Sequence, residues 1–80
     1  MDTLEQLREY VTSRFARERP APIAPDDDLL REGVLDSIAI MEIIGFLETT
    51  YGVSVDGDEV TVDNFRSLAA MTRLVERKRG

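Results

Sequence analysis

Apolar residues recur three and four positions apart near the start of the chain, which predicts an amphipathic helix. This stripe consists of Leu4, Leu7, Val11 and Phe15. Thr3, followed by Gln6 three residues later, fits a capping box at the helix start. Three prolines between residues 20 and 25 cannot continue a helix, so we expect it to end before them.

A long loop is predicted next, from about residue 20 to residue 36. Loops of this length are uncommon in a small domain and often carry function. We expect its apolar residues to pack the loop against the helices. They are Ile23, Leu29, Leu30 and Leu35.

The strongest helical pattern runs from Ser37 to Tyr51. Asp36 is a favourable N-cap residue, and Gly52 is a favourable residue after the last helical position. Ile38 falls off the apolar stripe and is predicted to face water. The predicted buried stripe is Ile40, Ile44, Leu47 and Tyr51, flanked by Met41 and Ile43.

The last third of the chain predicts an extended segment at residues 53–55, a weak helical turn at residues 58–61 and a final helix capped by Asp63. The inward positions of that helix are Phe65, Leu68, Met71 or Thr72, and Val75. The predicted fold is therefore all-α: a small antiparallel bundle of three main helices and one short extra helix, in a single domain over residues 1–80.

Composition excludes several classes of function. The 80 residues are 42% hydrophobic, which suits one small globular core. Without cysteine there is no disulfide or thiolate metal site, and without histidine the usual general base and zinc ligand are missing. We therefore expect neither an enzyme nor a metal site. The N-terminal segment does not resemble a signal peptide, and no apolar run could span a membrane, so a cytoplasmic protein is expected.

Charge is unevenly distributed within the net charge of −6. Residues 26–63 contain eleven acidic residues and one basic residue, Arg31. Such a field repels nucleic acid and attracts basic protein surfaces, although simple solubility is an alternative reason for it. We expect a monomer that binds other proteins.

Ser37 is the main candidate for chemistry. It lies at the predicted start of a helix, where free N–H groups and the helix dipole favour an anion. A phosphate on its Oγ would be stabilised there. Taken alone, Asp36 and Ser37 are more simply interpreted as a capping pair.

The wider pattern closely resembles the acyl carrier protein family, which includes peptidyl carrier proteins. The matching segments are Asp36-Ser37-Ile38, Met41-Glu42-Ile43-Ile44, Leu47-Glu48 and Tyr51-Gly52. The family's modified serine corresponds to Ser37, its preceding aspartate to Asp36, its apolar follower to Ile38 and an acidic helix residue to Glu42. The resemblance implies a four-helix bundle with 4′-phosphopantetheine, taken from coenzyme A, joined to Ser37 and flanked by Asp36. The arm would carry an acyl or aminoacyl group as a thioester.

The resemblance also implies the partners: a phosphopantetheinyl transferase that requires magnesium, a loading enzyme and downstream synthase enzymes. We expect acidic side chains to steer them and apolar ones to anchor them. The candidate partner-binding residues are Ile38, Met41, Glu42 and Glu48. Phe46 is bulkier than usual for the fatty-acid type, and the chain looks most similar to free-standing carriers of amino acids or small acyl groups.

Three other functions compete with this interpretation. Neither Asp26-Asp27-Asp28 nor residues 56–59 fit a calcium loop, because the fifth position in each is apolar. A hydrolase with paired carboxylates would need a pocket that separates their pKa values, and nothing in the sequence predicts one. An unmodified acidic helical interaction module is the remaining alternative.

Overall fold

The computed structural model describes residues 2–80, which contain four α-helices and no strand. The helices are α1 (Thr3–Phe15), α2 (Ser37–Tyr51), α3 (Val62–Phe65) and α4 (Leu68–Arg79), with a 3₁₀ turn at Gly57–Glu59. α4 packs against the other three helices. The predicted all-α bundle with three main helices is confirmed.

α1 begins on a different cap from the predicted one. Asp2 is the N-cap, and its Oδ1 accepts a hydrogen bond of 2.8 Å from the Glu5 N–H. The prediction of a Thr3–Gln6 capping box was therefore wrong, because the aspartate one position earlier satisfies the helix start. Leu7 and Val11 are fully buried, as the apolar stripe predicted.

α2 has the predicted bounds, but its most buried face differs from the predicted one. Ala39, Ile43 and Leu47 are buried. Ile40, Ile44 and Tyr51 are only half-buried, and Met41 is 66% exposed. Most of the circumference of this helix is apolar, so periodicity alone does not identify the side that meets the core. Gly52 ends the helix with a φ of 69°, in the left-handed region that glycine adopts without strain.

The long loop is held against the helices by buried apolar side chains and by backbone hydrogen bonds. Ile23, Leu29 and Leu35 are buried as predicted, while Leu30 is half-buried. The Leu29 N–H donates to the Arg66 carbonyl at 2.7 Å, and the Ala69 N–H donates to the Pro25 carbonyl at 3.0 Å. These bonds join the loop to the end of α3 and to the first turn of α4.

The C-terminal part contains two helices where one was predicted after Asp63. Asp63 lies inside α3, and α4 begins later with Ser67 as its N-cap. Phe65 belongs to α3. The predicted inward residues Phe65, Leu68, Met71 and Val75 are nevertheless buried. Leu74, which was not predicted, is buried as well. The core cluster includes Leu7, Val11, Leu29, Ile43, Leu47, Phe65, Leu68, Met71, Leu74 and Val75.

Candidate functional site

Ser37 is the first residue of α2 and is exposed. The helix start is capped by its neighbour: Asp36 Oδ1 accepts a hydrogen bond of 2.8 Å from the Ala39 N–H. The Asp36 carbonyl accepts a second bond, of 2.9 Å, from the Ile40 N–H. Within residues 2–80, the Ser37 hydroxyl makes no hydrogen bond. Asp36 thus performs the capping, and the serine Oγ is left accessible.

The backbone at this point suits a phosphate. The N–H groups of the first turn of an α-helix have no acceptor within the helix. Asp36 satisfies that of Ala39, while those of Ser37 and Ile38 have no acceptor in the described part of the chain. The dipole of a 15-residue helix adds partial positive charge here. A phosphodiester on Ser37 Oγ therefore fits the residues present.

An exposed face of α2 adjoins Ser37. Ile38 is 72% exposed and Met41 is 66% exposed, and Glu42 and Gly45 are also exposed. At 100° per residue these four positions fall within about 100° of arc, so they share one side of the helix. The structure thus brings Ser37 together with three of the four predicted partner-binding residues.

Glu42 accepts hydrogen bonds from two residues of α1 that were not predicted from the sequence. The Arg14 guanidinium donates to Glu42 Oε1, and the Tyr10 hydroxyl donates to the Glu42 carbonyl at 3.3 Å. The hydrogen bond to Glu42 raises the pKa of Arg14 above its ordinary value. No sequence signal links Arg14 to Glu42, because 28 positions separate them and only the helix pairing brings them together.

Glu48 is placed differently from the other predicted partner residues. Its Oε2 accepts a hydrogen bond of 2.9 Å from the Val55 N–H, and the residue is half-buried. The carboxylate therefore holds the extended segment that follows α2. Its role in partner binding stays a prediction.

Ser37 lies outside the groove that runs along α1. This groove has a volume of about 1010 Å³, and its lining does not include Ser37, Ile38 or Met41. It contains Tyr10 and Phe46, whose rings stack at a centroid distance of 4.0 Å. The candidate site at Ser37 is thus an exposed part of the surface of α2, separate from this groove.

The acidic loop residues serve as structural ties. Asp27 Oδ2 pairs with Arg19 at 2.9 Å, and Asp28 Oδ2 pairs with Arg66 at 3.1 Å. The hydrogen bond from the Arg31 backbone N–H is the main cause that lowers the pKa of Asp28 below its ordinary value of 3.8, and the Arg66 side chain acts in the same direction. Across residues 2–80, no group of three or more carboxylates is placed to hold a metal.

An accessible serine at a helix start, beside the exposed apolar side chains of Ile38 and Met41, suits a protein that presents an attached group to enzymes. The comparison with protein families agrees: the model for the phosphopantetheine attachment site matches residues 5–75, and the chain belongs to that family. It is a carrier protein with covalently attached 4′-phosphopantetheine, and it is not an enzyme. A search of curated proteins found no match. No helix among the described residues is long and apolar enough to cross a membrane.

Proposed function

We propose that Ser37 is the phosphopantetheine attachment residue. One observation carries the proposal: Ser37 Oγ is accessible and unbonded at the start of α2, while Asp36 satisfies the cap. In the modification reaction, Ser37 Oγ loses its proton to a base of the transferase. The oxygen then forms a bond to the phosphorus atom of coenzyme A that bears the pantetheine. The phosphoanhydride bond breaks, and the adenosine bisphosphate part leaves with the electron pair.

The chain's own residues position this serine. Asp36 holds the first turn of α2 through its bonds to Ala39 and Ile40. The free N–H groups of Ser37 and Ile38 lie where the negative phosphate forms. When bound, the group supplies a thiol that carries an acyl or aminoacyl unit as a thioester. A thioester on a long tether has a high effective concentration at each enzyme that the carrier visits.

We further propose that the carrier is a free-standing cytoplasmic monomer of specialised metabolism, with residues 1–80 as one domain, loaded with an amino acid or small acyl group. Partners are expected on the α2 face, through Ile38 and Met41 as apolar contacts and Glu42 and Glu48 as acidic ones.

The test is the intact mass of the purified chain after incubation with coenzyme A, magnesium and a promiscuous phosphopantetheinyl transferase. We expect a gain of one phosphopantetheine in the parent and none in Ser37→Ala. Ser54→Ala is the matched control, since Ser54 is exposed but lies in the extended segment after α2, and it should be modified like the parent. Modification of Ser37→Ala would contradict the proposed site. A folded parent that gains no mass would favour an unmodified interaction module.

A further inference from the structure

Gly45 lies in the middle of the exposed face of α2. It follows Met41 by four residues and Ile38 by seven, spacings that place all three on one side of the helix. Glu42, three residues before Gly45, borders this side next to α1 through its pair with Arg14. Gly45 has no side chain, so the helix backbone is uncovered at this point.

The fold does not require glycine here. Gly45 is helical and does not have a positive φ, unlike Gly33 and Gly52. A Cβ at this position would have no heavy atom within 4 Å, so alanine would fit without displacing anything. Glycine inside a helix lowers the folding equilibrium constant by about two- to fivefold relative to alanine. Gly45 thus costs stability without a packing reason in the described part of the chain.

Gly45 falls within a contact surface of typical size that is centred on Ser37. At 1.5 Å per residue, Gly45 lies about 12 Å from Ser37 along the helix axis. A typical protein contact covers about 800 Å² on each partner, which corresponds to a radius of about 16 Å. An enzyme that acts on Ser37 Oγ therefore covers the exposed face as far as Gly45.

We propose that Gly45 forms a notch that receives an apolar side chain of the phosphopantetheinyl transferase. The notch is the uncovered backbone at Gly45 between Met41 and Thr49. An apolar occupant fits because its neighbours Ile38 and Met41 are exposed and apolar. The nearest charge on the α1 side, Glu42, is already paired with Arg14. The inference rests on the proposed modification of Ser37.

The test compares Gly45→Ala and Gly45→Leu with Thr50→Ala, using the transferase, coenzyme A and magnesium. Thr50 is exposed on another side of α2, and alanine there also favours the helix. We expect Gly45→Ala and Thr50→Ala to raise the denaturation midpoint above that of the parent. We expect only the Gly45 variants to lower the kcat/KM of transfer, about threefold for alanine and at least tenfold for leucine, mainly through KM.

Opposite effects on stability and on transfer identify a contact with the partner, because a purely structural role would move both in the same direction. Transfer rates in both Gly45 variants that equal those of the parent and Thr50→Ala would overturn the inference and leave the proposed modification intact. A faster reaction in Gly45→Leu would overturn it as well. A parent that is not modified at all would instead overturn the proposed function, and this inference with it.

Discussion

Two serines lie at helix starts, and they differ in what their hydroxyl groups do. Ser67 precedes α4, is only 6% exposed, and its Oγ accepts a hydrogen bond of 3.1 Å from the Ala70 N–H. Ser37 begins α2, is exposed, and has its capping bond made by Asp36. Ser67 occupies the N-cap position itself, whereas Ser37 follows the N-cap by one residue. This difference leaves the Ser37 hydroxyl accessible and gives the Ser67 hydroxyl a structural role.

The surroundings of the two helices extend this contrast. α4 is held near both ends: by Ser67 at its start, and by Lys78, whose Nζ donates to Glu59 Oε1 at 2.6 Å. Among residues 2–80, the hydrogen bonds at the start of α2 are accepted by Asp36. A serine that reacts in the active site of another enzyme must be exposed, and its hydroxyl must not be held by hydrogen bonds within its own fold. Ser37 meets both requirements.

The largest expected effect comes from Ser37→Ala. We expect complete loss of modification with stability within about 0.5 kcal/mol of the parent, because an exposed, unbonded hydroxyl contributes little to folding. Intact mass measures the first quantity and urea denaturation the second. A large loss of stability would show that Ser37 has a structural role like that of Ser67.

Ser67→Ala should give the opposite result. The buried N–H of Ala70 would lose its acceptor, and we expect a loss of about 1–2 kcal/mol in the free energy of unfolding. Modification should still go to completion wherever the variant is folded. Urea denaturation and intact mass on the same preparation check both points, and loss of modification in a folded variant would contradict the contrast between the two serines.

Asp36 variants test whether capping is what leaves Ser37 available. Asp36→Ala should lose about 1 kcal/mol of stability and slow the transfer, since the first turn of α2 loses its cap. Asp36→Asn should recover both, because asparagine caps as well as aspartate. Stopped transfer assays at several enzyme concentrations, paired with denaturation curves, provide the measurement. Slow transfer in a stable Asp36→Asn variant would instead show that the charge itself is required.

The smallest effect concerns the Lys78–Glu59 pair near the end of α4. The hydrogen bond from Lys78 is the main cause that lowers the pKa of Glu59 below its ordinary value of 4.5. The folded state therefore favours the ionised carboxylate, which adds stability above that value. This contribution is lost as the pH falls through the lowered pKa.

Glu59→Gln should consequently be less stable than the parent at neutral pH, and the difference should shrink as the pH falls below 4.5. Urea denaturation of both proteins between pH 7 and pH 3 measures this difference. A difference that stays constant over the whole range would mean that the carboxylate charge does not contribute to holding α4.

The sequence predicted those features that depend on neighbouring residues. Asp36 before the helix and Gly52 after it determine the bounds of α2, and both signals are local. The exposure of Ile38 followed from its position off the apolar stripe. The membership in a phosphopantetheine carrier family followed from Asp36-Ser37-Ile38 together with the helix pattern.

Features that depend on packing were not predictable in this way. The buried side of α2 was placed wrongly because the helix is apolar on most sides, and its packing in the common core determines that Ala39 and Ile43 are buried. Ser67 is an N-cap because α3 ends at Phe65 and a new helix begins at Leu68, where the sequence pattern predicted one continuous helix. The pair between Arg14 and Glu42 joins two helices across a long loop, and no sequence spacing indicates it.

Locating the attached group at residue level in the modified parent tests directly whether Ser37 carries the phosphopantetheine. The chain has four serines, Ser13, Ser37, Ser54 and Ser67, and trypsin leaves Ser37 and Ser54 in one peptide, residues 32–66. Fragmentation of that peptide in a mass spectrometer separates the two. We predict that all of the phosphopantetheine lies on Ser37. Its presence on Ser54, or on any other serine, would contradict the assignment of Ser37 as the attachment residue.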